Sequence, residues 1–181
     1  MNLSSKIKQL FAKLYFKIWP FTEQIPSGKP LNLVGGKIVL FFNYPTEDVE
    51  ILLVNQIPNL KKQLEKNSRI TICNMSDDSV PTESDNAVFF SMNDYNLFGK
   101  SKPRLKEWLS NNEFDILISF ANNENIFCNS QICNIKADFK AGLYNPDNVK
   151  LFDLTIKQKS DDISLQLESF IHYLNKLNIN R

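Results

Sequence analysis

Residues 113–143 constrain the fold more than any other stretch of this chain. They read EFDILISF, then a polar span rich in Asn, then NIKADFKAGL. Phe114–Phe120 is a nearly continuous apolar run, the pattern of a strand covered on both faces, and such strands belong to parallel sheets. Asp138–Leu143 is a second short run with a glycine near its end. The span between them, about Asn123–Asn134, is long enough for a crossover helix. One parallel strand–helix–strand unit of this kind points to an α/β protein.

The flanking segments continue the alternation. Lys37–Phe42 (KIVLFF) predicts a first strand, and Arg69–Asn74 (RITICN) a second, rich in β-branched residues. Ala87–Ser91 and Leu151–Ile156 (LFDLTI) predict two more. Val49, Leu52, Leu53, Gln56, Leu60 and Leu64 keep helical spacing, with Thr46 as N-cap and Pro58 as a kink. Pro103 opens a short helix through Leu109. Asp161 or Asp162 caps a final helix that carries Ile163, Leu167, Phe170, Ile171 and Leu174. Ser76–Asp85 and Asn93–Lys102 read as loops. The whole predicts a single, mostly parallel Rossmann-like sheet of five or six strands with helices on both faces, over residues 37–181. A basic amphipathic helix (1–20) and a proline-containing linker (21–36) precede it.

Composition narrows the function classes. The 181 residues are 43% hydrophobic and include 14 Phe, ample for a core. The net charge of +1 removes the whole-molecule field of a nucleic-acid protein. Cys73, Cys128 and Cys133 show no metal-type spacing and read as reduced thiols of a reducing compartment. No run approaches the ~20 apolar residues of a membrane span, and lysines interrupt the N-terminal apolar residues, leaving no clean signal-peptide core. The expectation is a cytoplasmic protein, with contact at the periphery of the inner membrane as an alternative.

The chemical motifs are sparse. The first strand–helix turn is FFNYPTED, without the glycines that bring backbone amides up to a pyrophosphate, so no nucleotide cofactor is assigned. His172, the one histidine, sits in the last helix beside Tyr173 and reads as a packing residue, so no catalytic residue is named. Asp77, Asp78, Glu83 and Asp85 read as a solvated acidic loop, and no metal is assigned. Asn43, Thr46, Asn74, Asn122 and Asn123 fall just past strand ends, where amides either line a small polar ligand pocket or cap turns.

The N-terminal helix is the sharper signal. Leu3, Ile7, Leu10, Phe11, Leu14 and Ile18 form one stripe, Lys6, Lys13 and Lys17 lie together beside it, and Lys8 flanks it elsewhere. Tyr15 and Trp19 border the apolar side. Three uses compete: packing of the stripe on the body of the protein, docking on a protein or ribonucleoprotein partner, and lying on an anionic membrane surface. Lys100, Lys102, Arg104 and Lys106 form a second basic patch. Lys6, Lys8, Lys13, Lys17, Trp19, Lys100, Lys102 and Arg104 are the candidate docking residues.

The tract DYNLFGKSKPRLKEWL, with EFDILISF, NIKADFKAGL, LFDLTI and the helical ending YLNKLN, resembles a family of uncharacterised bacterial proteins typical of the Bacteroidetes and classed as a domain of unknown function. The resemblance spans about Ala87–Leu177 and implies a short Rossmann-like protein with a basic N-terminal helix. The same tract is distantly similar to the N-terminal half of heptosyltransferase-like glycosyltransferases. There an "FD-apolar" strand is followed, one helix later, by a strand ending in a small residue and glycine, as Ala141–Gly142 does here. Those enzymes carry their sugar-nucleotide site largely in a second domain, so the resemblance implies the fold and no catalytic residue. The functional expectation is a non-catalytic binding module, an accessory subunit docked through its N-terminal helix. A small ligand-binding protein or enzyme working at the strand carboxyl edge, and an RNA binder using the basic patches, are the alternatives.

Overall fold

The computed structural model describes residues 3–18, 35–44, 48–49, 68–75, 82–84, 86–121, 125–146, 149–157, 160 and 162–179. Seven strands form one sheet: β1 (Lys37–Phe42), β2 (Arg69–Met75), β3 (Thr82–Ser84), β4 (Ala87–Phe90), β5 (Glu113–Ser119), β6 (Lys136–Leu143) and β7 (Leu154–Ile156). Four helices are described with them: α1 (Leu3–Ile18), α2 (Pro103–Asn111), α3 (Ile126–Asn134) and α4 (Ile163–Ile179). The spatial order is β3-β4-β2-β1-β5-β6-β7, and every pair is parallel except β3 with β4. The six parallel strands thus run in the 3-2-1-4-5-6 order of doubly wound nucleotide-binding folds. The chain is an α/β protein of Rossmann-like fold.

The extra strand corrects the sequence reading of residues 76–85 as a loop. Thr82–Ser84 pairs antiparallel with β4 through Thr82↔Phe89 and Ser84↔Ala87. Three polar residues give no period to detect, so an edge strand of this kind leaves no apolar signature. Two further boundaries move. A 3-10 turn occupies Val149–Leu151, so the last strand begins at Leu154, and β6 begins at Lys136. Of the helix expected after β1, only residues 48–49 are described, with Val49 fully buried.

Alternation along β1 shows how the layers form. Ile38, Leu40 and Phe42 face one core with Ile116, Ile118 and α4's Leu167, Phe170 and Ile171. Val39 and Phe41 face the other, with Met75, α2's Leu105 and Trp108, α3's Phe127 and Ile132, and Ala12 of α1. A strand buried on both faces is apolar at nearly every buried position, which is why KIVLFF and DILISF read as nearly continuous apolar runs.

Two residues of β6 tie the C-terminal half together. Gly142 lies against the Phe152 ring, and a Cβ there would overlap three ring carbons. The small-residue end of this strand is therefore a space for an aromatic side chain. Lys140 turns inward, and its Nζ donates to the carbonyls of Ile132 and Cys133 at the C-terminus of α3. Helix ends leave carbonyls without intrahelical donors, and a cation suits the negative end of the helix dipole. Asp153 completes the connection. Its carboxylate accepts from the Lys140 amide at 2.8 Å, and its own amide donates to the Lys140 carbonyl at 2.8 Å.

Candidate functional site

Helix α1 meets the body by a face beside its apolar stripe, so packing of that stripe on the body, one of the three uses weighed for it, is not the arrangement found. Lys8, Ala12 and Tyr15 recur at four- and three-residue steps and so share one face. Ala12 is 0% exposed. Lys8 Nζ donates to the Met92 carbonyl at 3.1 Å. The Tyr15 ring meets Phe98 at 6.4 Å between centroids, and Lys100 Nζ stands 5.3 Å over the same ring. The helix packs beside α3 and the 92–100 segment. A small residue between two larger polar ones lets helices approach closely, so the alanine decides the buried face.

The apolar arc consequently points outward. Leu10 is 60% exposed, Leu14 52%, Phe11 45% and Ile7 43%. Leu97 and Phe98, in the turn beside Tyr15, are 53% and 52% exposed. Gly99, at φ 77°, and the Asn96 side chain, accepting from the Phe98 and Lys100 amides at 2.9 and 3.0 Å, shape that turn. Lys6, Lys13 and Lys17 are exposed along one border of the arc, and Lys100 and Lys102 are exposed at the turn. Trp19 lies outside the described residues.

Other members of the predicted basic surface serve the fold. Arg104 donates through Nε and Nη2 to Asp94 Oδ1 at 3.2 and 3.1 Å, and through Nη2 to the Phe89 carbonyl at 3.1 Å. Its guanidinium also lies 5.7 Å over the Phe90 ring. Asp94 in turn accepts from the Ser91 amide at 2.9 Å in a capping box. This ion pair braces the base of the segment whose tip carries Leu97 and Phe98. Lys8 is likewise engaged within the chain.

At the carboxyl edge, the strand order reverses between β1 and β5, the place where open α/β sheets hold ligands. Here Phe42 and Phe120 stack at 5.0 Å with 8° between planes, and Phe170 meets Phe120 edge-on at 5.4 Å. The nearby polar groups hold backbone. Asn74, 0% exposed, accepts from the Tyr44 amide at 3.3 Å and donates to the Tyr44 carbonyl at 3.1 Å. Ser119 accepts from the Ala121 amide, and Asn125 caps α3 by accepting from Phe127. Asn43 is half-buried at the end of β1, whereas Thr46, Asn122 and Asn123 lie outside the described residues. Asn74 is therefore a structural clamp on the loop after β1.

These features sit on a family framework. A model of a family of unknown function, DUF6913, matches residues 38–177, which take in β2 to β7, α2, α3 and most of β1 and α4. The chain belongs to this DUF6913 family. Its matched region runs from β1 into α4, and α1 precedes it. No curated protein matches the chain. Among solved structures, a glycosyl transferase family 9 protein from Veillonella parvula is similar in fold, with a TM-score of 0.50 and 14% identity. The similarity covers 82% of this chain and 42% of that one, so the chain spans about two-fifths of its length.

A concavity lies between β7 and α4 on this DUF6913 framework. It encloses about 900 Å³, floored by Leu143, Leu154 and Ile156 and rimmed by Lys157, Ser169 and His172. Among the described residues, no three His, Cys, Asp or Glu side chains are grouped as metal ligands. No described helix is long and apolar enough to cross a membrane. Leu97 and Phe98 are the site residues that sequence reasoning missed. Their signal is an apolar pair followed by glycine inside a polar loop, which places two large side chains on a turn tip with no strand to bury them.

Proposed function

We propose that this chain is a non-catalytic α/β binding module that attaches to a larger assembly as an accessory component, through the outward arc of α1 and the Leu97–Phe98 turn. The observation that carries this reading is the exposure of six large apolar side chains on two segments that touch one another. Contiguous apolar surface rimmed by charge marks interaction sites on folded proteins. The non-catalytic part rests on the use of Asn74, Ser119 and Asn125 to fix backbone at the edge where the fold would present reacting groups.

The test is affinity purification of the tagged full chain from its native cells beside a Leu10→Glu/Leu14→Glu variant. Both positions are more than half exposed, so the variant is expected to fold as the parent does. The expected result is an associated set recovered with the parent and lost with the variant. Recovery of the same set by both would overturn the reading.

A further inference from the structure

The outward arc of α1 and the Leu97–Phe98 turn form one surface because Tyr15 meets Phe98 and Lys100 covers Tyr15. The surface is held from behind. Lys8 is bonded to the Met92 carbonyl, Ala12 is enclosed, and the Arg104–Asp94 pair braces the base of the turn. A partner must therefore accept a helix laid on its side and a separate loop tip together, which suits a broad surface better than a groove shaped to one helix.

The charge on this face is of one sign. Lys6, Lys13 and Lys17 border the helix arc, and Lys100 and Lys102 stand at the turn, all exposed. Residues 3–18, 95–106 and 126–134 contain no Asp or Glu. The chain as a whole carries only +1, so this cationic surface is a local segregation of charge. A helix with large apolar side chains on one arc and lysines along its border is the pattern that lies in a bilayer interface, apolar side chains at the acyl boundary and amines at the headgroups. Ile7, Leu10, Leu14 and Leu97 are aliphatic and would gain nothing from the bases or phosphates of RNA, which reward aromatic stacking and cations.

We infer that the surface this face docks upon is an anionic phospholipid bilayer, with Ile7, Leu10, Phe11, Leu14, Leu97 and Phe98 entering the headgroup–acyl boundary. The inference rests on the reading above that this face is the docking surface, and takes the assembly to be membrane-bound, so that the set recovered with the parent is gathered through the bilayer. Neither segment spans the bilayer. The chain lies on one leaflet with its sheet outside it.

The experiment is flotation of the full chain with large unilamellar vesicles of phosphatidylcholine alone, or of phosphatidylcholine mixed with phosphatidylglycerol. Binding is expected on the mixed vesicles, weaker by about tenfold or more on phosphatidylcholine alone, and weaker again in high salt. Leu10→Glu/Leu14→Glu and Lys6→Gln/Lys13→Gln/Lys17→Gln should each lower binding to the mixed vesicles by about tenfold or more, with circular dichroism and melting temperature matching the parent. Absence of flotation, or equal flotation of all three proteins, would overturn the lipid assignment. If the parent does not float while the purification above still separates it from Leu10→Glu/Leu14→Glu, the docking reading stands and its occupant is a protein. Salt-sensitive retention on RNA without flotation would equally overturn the lipid assignment.

Discussion

Lys140 is 1% exposed, and its ammonium is held between two helix-end carbonyls. Burial lowers its pKa to about 8, opposed by the neighbouring Cys133 and Asp153. In the unfolded chain the amine titrates near the ordinary lysine value, so the folded state loses its proton first as pH rises. Between about pH 8 and pH 10 the unfolded state binds more protons at this site, so the Lys140 contribution to stability rises with pH. The Cys133 thiol, pushed up to about 11 by burial, and the buried Cys73 thiol, also raised, contribute in the opposite sense above about pH 9. Below pH 8 both states are protonated and the burial penalty is constant. The gain across that window is roughly 3 kcal/mol if the shift is fully expressed. A Lys140→Met variant removes this titration and keeps the thiols, so the denaturant-derived stability of the parent relative to the variant should rise between pH 8 and 10. An identical pH profile in both proteins would refute the assignment. The residue is visible in the sequence only as a lysine inside a strand, an apparent exposed position. Its inward turn depends on where α3 ends, and spacing along β6 alone does not reveal that.

At the scale of elements, α1 separates pattern from placement. The periodicity of Ile7, Leu10, Phe11 and Leu14 is legible as an arc, yet the arc carries no statement of which side meets the body. Ala12 settles it, because a methyl side chain permits the approach that the large residues forbid. Ala12→Glu would force a long charged side chain into that contact, at about 1–3 kcal/mol or more. Limited proteolysis should then cut within residues 3–18 faster than in the parent. Leu10→Glu, on the outward side, should leave the cleavage rate unchanged. Equal protection in Ala12→Glu would mean that α1 is not held by this face. The strands show the opposite balance. KIVLFF, RITICN and EFDILISF are legible because both faces of each are buried, whereas TES, with one neighbour and no apolar residue, is not. The strand-end asparagines are legible as turn chemistry, but the pairing of Asn74 with Tyr44 joins residues thirty positions apart and has no local signature.

For the whole molecule, β1 lies near the middle of the sheet, between β2 and β5, while β3 and β7 stand at the edges. Opening free energy should follow this order, since central strands can open only with the core on both sides. Native-state hydrogen exchange is expected to be slowest at Val39–Phe41 and Leu117–Ser119 and fastest in β3 and β7. Slow exchange in β7 with fast exchange in β5 would contradict the strand order. The α/β class and most strand positions follow from apolar runs, but neighbour relations do not. The placement of β1 between β2 and β5 emerges only when the crossovers are packed, so the reversal point could not be located from spacing alone.

Both margins of that sheet are three-residue strands, Thr82–Ser84 and Leu154–Ile156. A margin this short offers an incoming chain little backbone to zip against, and proteins use such brevity to prevent strand-by-strand growth. Two copies meeting at either of these strands would gain at most a few main-chain bonds from it. Growth along the ribbon is therefore poorly served at these two strands, and the large exposed apolar side chains of α1 and the Leu97–Phe98 turn stand away from both.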